Sequence, residues 1–129
     1  MPRAKIMVSD DDVDVAEAIS LALQSADYEV VVASSGKETL EKLPSEKPDL
    51  LILDVMMEDK RAGFSVSQKM RTDPELAGIP ILMLTAVHRQ TPLRFSPDTD
   101  EEYLPVEEFI EKPIDPKRLL ERIEKLLKL

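Results

Sequence analysis

Residues able to do chemistry fall at the ends of short apolar runs. Ile6-Met7-Val8 leads through Ser9 into Asp10-Asp11-Asp12, and Leu50-Leu51-Ile52-Leu53 ends in Asp54. Ile79-Pro80-Ile81-Leu82-Met83-Leu84 ends in Thr85-Ala86, and a weaker run from Val106 to Ile110 is followed by Lys112-Pro113. Crowded carboxylates repel one another, and a hard divalent cation relieves the repulsion. Magnesium suits such a group, since it takes oxygen ligands, keeps several waters and favours one or two carboxylates plus phosphate oxygens. An aspartate can attack a phosphoryl donor. Magnesium and a lysine would flank the charge spread over the transferred group, and a threonine hydroxyl can donate to one of its oxygens. The set fits phosphoryl transfer to a carboxylate.

These residues meet only if the runs are neighbouring strands. The first three runs (with Val30-Val31-Val32-Ala33 as the second) and the run from Ile79 are nearly continuous, not alternating, as expected of strands covered on both faces in a parallel sheet. Helical patterns separate them. Val13, Ala16, Ile19 and Leu23 recur at helical spacing behind a cap at Asp11 or Asp12. Leu40 and Leu43 mark a shorter helix, expected to end at Pro44, and Phe64 to Met70 a third with Val66 and Met70 on one side. Leu119, Leu120, Ile123, Leu126 and Leu127 make the clearest amphipathic stripe, opened by Asp115-Pro116 as N-cap and first helical residue. Strand and helix in alternation imply an α/β domain with a parallel sheet and, by the right-handed crossover rule, helices on both faces. In open sheets of this kind ligands sit at the carboxyl ends of the strands, where the aspartates, Thr85 and Lys112 would meet.

The bulk properties agree. A chain of 129 residues with 43% hydrophobic content fits one compact domain over residues 1–129, and without cysteine it has no disulfide framework or thiolate site. The net charge of −9 argues against nucleic acid and anionic lipid as direct partners. No apolar run approaches the roughly 20 residues of a membrane span. The opening Met1-Pro2-Arg3-Ala4-Lys5 lacks the apolar stretch of about 7–15 residues of a signal peptide. A soluble, cytoplasmic protein is the expectation.

Taken singly, each site residue has a plainer reading. Acid at a helix start favours the dipole, aspartates often end strands in turns, Thr85 alone would be structural and Lys112 alone a solvated charge. Their weight comes from the set. His88, a lone histidine between the fourth and fifth runs, reads as incidental, and the methionines as core or site-lining residues.

Over its whole length the sequence resembles the receiver domains of two-component response regulators. The resemblance is carried by Lys5-Ile6-Met7-Val8-Ser9-Asp10-Asp11-Asp12, Pro48-Asp49-Leu50-Leu51-Ile52-Leu53-Asp54-Val55-Met56-Met57, Gly63-Phe64, Pro80-Ile81-Leu82-Met83-Leu84-Thr85-Ala86 and Phe109-Ile110-Glu111-Lys112-Pro113, in that order. It implies a flavodoxin-like fold, a doubly wound five-stranded parallel sheet in the order 2-1-3-4-5. It implies a phosphoacceptor at Asp54, supplied by the phosphohistidine of a sensor histidine kinase or histidine phosphotransfer protein. Magnesium would be held by Asp10, Asp11, Asp54 and the backbone carbonyl of Met56. Thr85 and Lys112 would hold the phosphoryl oxygens. Thr85 and the aromatic Phe109 would switch the face formed by the fourth helix, fifth strand and fifth helix, and the Lys112-Pro113 bond would be cis. By this reading the chain is a signalling module that assists its own phosphorylation, not an enzyme turning over a substrate.

Three departures from the family pattern bear on function. Glu58 and Asp59 stand in the loop after Asp54, where a proline is usual. Pro92, Pro97 and Pro105 interrupt the stretch from Val87 to Val106, and a helix interior tolerates proline only at about 3 kcal/mol each. The family's fourth helix is therefore expected to be short or replaced by a loop, and that loop to be a partner-recognition element. Met56 and Val87, two positions beyond Asp54 and Thr85, are apolar where the family controls water access to the phosphoryl group. A long-lived phosphorylated state is the expectation. The nearest enzyme alternative is a haloacid-dehalogenase-like phosphatase, which also uses an aspartate nucleophile, magnesium, a hydroxyl and a lysine. There the nucleophile comes early in the chain and the acidic pair late, the reverse of the order here.

Overall fold

A computed structural model of the chain describes residues 4–54, 62–86, 108–112 and 115–127; for 62–64, 85–86, 108–109 and 111–112 it describes the backbone alone. The elements alternate: β1 (Lys5–Ser9), α1 (Val13–Ser25), β2 (Glu29–Ala33), α2 (Gly36–Glu46), β3 (Leu50–Asp54), α3 (Ala62–Thr72), β4 (Ile81–Ala86), β5 (Glu108–Lys112) and α4 (Pro116–Leu127). The five strands form one sheet in the order β2-β1-β3-β4-β5, every pairing parallel. This is the doubly wound, flavodoxin-like arrangement expected. The segment where a fourth helix was expected to be short or replaced lies outside the described residues, as do Glu58, Asp59 and His88.

Period two within each strand divides the core into two layers. Ile6, Val8, Leu50, Ile52, Leu82, Leu84 and Ile110 pack with Ala16, Ile19 and Leu23 of α1 and with Leu119 and Ile123 of α4. Met7, Leu51, Leu53, Ile81 and Met83 face the other way, onto Leu43 of α2 and Val66 and Met70 of α3. The central strand β3 is buried at all five positions, which explains its unbroken apolar sequence. In α4, Leu119 and Ile123 are buried one turn apart, and each contributes about 1.5–3 kcal/mol by leaving water.

Helix boundaries follow local chemistry. Asp12 caps α1, its carboxylate accepting from the amides of Asp14 (3.0 Å) and Val15 (3.3 Å). The helix closes in a Schellman motif: Tyr28 N–H donates to the Leu23 carbonyl and Asp27 N–H to that of Gln24, both at 3.0 Å, while Asp27 takes a left-handed φ of 72°. Ser35 caps α2 by accepting from Glu38 N–H at 3.0 Å. Glu38 in turn accepts from the Ser34 amide and hydroxyl, both at 2.8 Å, a variant of the reciprocal capping box. Asp115 opens α4 by accepting from Lys117 N–H at 3.1 Å, and Pro116 is the first helical residue, as expected from the sequence.

Three expectations need correction. Val13 was placed on the buried stripe of α1 but is 71% exposed. It is the first residue of a helix that starts at the carboxyl edge of the sheet, and in that first turn Val15 and Ala16, not Val13, make the core contacts. Pro44 was expected to end α2, yet the helix runs on to Glu46. Pro44 falls in the last turn, where only the bond to Leu40 is lost, and Lys47 closes the helix from a left-handed φ of 44°, its N–H donating to the Leu43 carbonyl at 2.9 Å. The fourth apolar run starts at Ile79, but β4 begins at Ile81, because Ile79 N–H closes a turn onto Leu76.

Candidate functional site

The parallel register assembles the site. Ser9 pairs with Leu53 at the last matched position of β1 and β3, so the next residue on each chain is an aspartate: Asp10 and Asp54. On the other side of β3, Asp54 pairs with Leu84, and on β4 Leu84 pairs with Ile110. Thr85 pairs with Glu111 one step further toward the carboxyl edge, and Lys112 pairs with Ala86 one step beyond that. Asp10, Asp54, Thr85 and Lys112 therefore fall in register order along the carboxyl edge of the sheet, while Phe109, paired with Met83, lies one step inside Asp54.

Asp10 and Asp54 are 1% and 5% exposed, while Asp11 is open to solvent. One carboxylate oxygen from each of the three lies within 4.8 Å of the others. The turn that delivers them is fixed by its own bonds. Asp10 N–H donates to the Ala33 carbonyl at 3.1 Å, and Asp12 N–H donates to Asp10 Oδ1 at 2.9 Å. Asp12, the third aspartate of the run, is occupied as the α1 cap and does not belong to the group of three. Buried carboxylates this close repel unless a cation stands among them. A set of oxygen donors, two buried and one facing water, suits a hard cation that retains water ligands, so the residues fit magnesium.

The structure thus brings together Asp10, Asp11 and Asp54. It places the backbones of Thr85, Phe109 and Lys112 in β4 and β5; the side chains of those three, with Met56 and the Lys112-Pro113 bond, lie outside the described residues. Ser9 and Thr39 were not singled out from the sequence, yet both are fully buried beside the site. The signal was faint: a hydroxyl directly after the apolar run Ile6-Met7-Val8.

Residues 6–124 match the model of the response regulator receiver domain family. The chain is 33% identical over 131 residues to the alkaline phosphatase synthesis transcriptional regulatory protein PhoP of Bacillus subtilis, covering 96% of this chain and 48% of that protein. It is 35% identical over 129 residues to the DNA-binding dual master transcriptional regulator RpaA of Synechocystis, covering 99% of this chain and 50% of RpaA. It spans about half the length of these curated relatives. Among solved structures, a putative response regulator from Chloroflexus aurantiacus superposes with a TM-score of 0.82 at 30% identity, each chain fully covered. The chemotaxis response regulator CheY4 of Vibrio cholerae does so at 0.80 and 30%, over 95% of this chain and 98% of that one. The chain belongs to the response regulator receiver domain family of two-component systems. That is a signalling fold rather than a classical enzyme family, and the phosphatase alternative is not favoured. Among the described residues, no helix is long and apolar enough to cross a membrane.

Proposed function

We propose that the chain accepts a phosphoryl group on Asp54 in a magnesium-dependent reaction, from a phosphohistidine of a sensor kinase or histidine phosphotransfer protein, in the cytoplasm. The observation that carries this is the meeting of Asp10, Asp11 and Asp54 within 4.8 Å at the carboxyl edge of the sheet, in a chain of the receiver family.

In the transfer, a carboxylate oxygen of Asp54 forms a bond to phosphorus while the bond from phosphorus to the imidazole nitrogen breaks. The electron pair and a proton stay with the histidine. Magnesium, held by Asp10, Asp11, Asp54 and the Met56 carbonyl, would supply charge neutralisation for the phosphoryl oxygens. Asp54 acts as the nucleophile from a buried position fixed by the register of β3 between β1 and β4. Thr85 and Lys112, one and two steps further out, hold the phosphoryl oxygens. Thr85 and Phe109 pass the change in charge to the surface that a partner reads. Residues 1–129 act as one receiver domain, with residues 89–104 as its partner-recognition segment. The apolar Met56 and Val87 keep water off the phosphoryl group.

The test is to incubate the protein with acetyl phosphate, with and without magnesium, and compare intact masses of wild type and Asp54→Ala. One added phosphoryl group is expected for wild type with magnesium alone. Equal phosphorylation of Asp54→Ala, or catalytic turnover of the donor without a stoichiometric adduct, defeats the reading.

A further inference from the structure

Ser9 and Thr39 are both fully buried, and their side-chain oxygens lie 2.8 Å apart. Thr39 Oγ1 is also 2.7 Å from the Ser35 carbonyl oxygen. A carbonyl can only accept and a threonine hydroxyl has one proton, so the direction is set. Thr39 donates to Ser35, and Ser9 donates to Thr39. Around them the layer is apolar, built from Met7, Leu43 and Leu53. This short hydrogen-bonded chain pins the last residue of β1 to the first turns of α2.

The residue after Ser9 is Asp10. We propose that Thr39 is a positioning residue for the acidic site: through the Ser9 hydroxyl it anchors the end of β1 and so holds the Asp10 carboxylate beside Asp11 and Asp54. The inference rests on the reading of that site as a magnesium-dependent phosphoacceptor. Thr39→Val keeps the shape but takes away the acceptor that, among the described residues, the Ser9 hydroxyl has. The stranded hydroxyl is relieved most easily by a shift of the strand end, which carries Asp10 with it. Ser9→Ala cuts the same link but strands nothing, since Thr39 still donates to Ser35. Thr39→Ser keeps the link.

The experiment titrates Mg2+ into each variant by calorimetry, and measures unfolding without Mg2+ in parallel. Thr39→Val should weaken Mg2+ binding roughly fivefold or more, and Ser9→Ala about two- to threefold. Thr39→Ser should bind like wild type, and the double variant Ser9→Ala/Thr39→Val should recover to the level of Ser9→Ala. Phosphorylation of the Thr39→Val protein by acetyl phosphate should return to the wild-type extent at saturating Mg2+. A purely structural pair would lower stability without Mg2+ and leave the affinity unchanged; that result overturns the proposal, as does Thr39→Ser behaving like Thr39→Val. If Thr39→Val does not fold, Ser9→Ala decides, and wild-type affinity there overturns the proposal. A wild-type protein without Mg2+ affinity would instead defeat the reading of the site, and this inference with it.

Discussion

Asp10 and Asp54 stand side by side at the carboxyl edge of the sheet, each the next residue after the Ser9–Leu53 pair of β1 and β3, and both are buried. Asp11 completes the group from the solvent side. Two buried carboxyl groups held together by strand register, with a third at the solvent side, make a site that favours a cation.

Magnesium should therefore stabilise the fold. At a concentration about 100 times its dissociation constant, a ligand that binds only the folded state adds about 2.7 kcal/mol. Asp11→Asn should remove most of that gain while leaving stability without magnesium within about 0.5 kcal/mol of wild type, since Asp11 is exposed. Urea unfolding with and without magnesium measures both. A full magnesium gain in Asp11→Asn would show that this carboxylate is not a ligand.

Glu38 should make stability pH-dependent. The Lys42 side chain at 2.8 Å, then the Ser34 amide and hydroxyl, lower its pKa from 4.5 to about 2. A carboxyl whose pKa is depressed on folding contributes stability above the unfolded value that is lost as pH falls through the folded one. Glu38 is 35% exposed, so screening reduces the effect and the contribution is about 1 kcal/mol. Glu38→Gln should cost about that much at pH 7, with the gap to wild type closing between pH 4.5 and 2. A gap that stays constant across this range would assign the loss to packing.

Asp27 offers a gain. It holds a φ of 72° at the end of α1, where glycine has no Cβ to strain. Its side chain is exposed. Asp27→Gly should stabilise by about 0.5 kcal/mol, the relief being partly offset by the freer unfolded chain. The change is read from the midpoint of urea unfolding, and a loss of stability would mean that the aspartate side chain makes a contribution of its own.

Ile123 and Val13 test the assignment of core and rim. Ile123→Ala removes a fully buried side chain of α4 and should cost about 2–5 kcal/mol. Val13→Ala, at a 71% exposed position, should change stability by less than about 0.5 kcal/mol. Similar losses at the two sites would contradict the burial of α4 against the sheet.

Much of this molecule was legible in one dimension, because its signals are local. Unbroken apolar runs specify the strands, though the Val30–Ala33 run became the edge strand β2, which is only partly covered, with Val32 40% exposed; Asp115-Pro116 before a leucine stripe specifies the start of the last helix. An aspartate at the end of a run marks where chemistry can sit. Other features depended on where a residue ends up in the fold. Val13 has the spacing of a core residue, but at the start of the helix Val15 and Ala16 take the core contacts and leave it exposed. Pro44 carries a stop signal that is harmless in a final turn. Asp10 and Asp54 are far apart along the chain, and only the insertion of β3 beside β1, with β2 turned outward, makes them neighbours. The Ser9–Thr39 contact belongs to the same class: each hydroxyl is unremarkable by itself, and only the packing of α2 on β1 gives the first an acceptor in the dry interior.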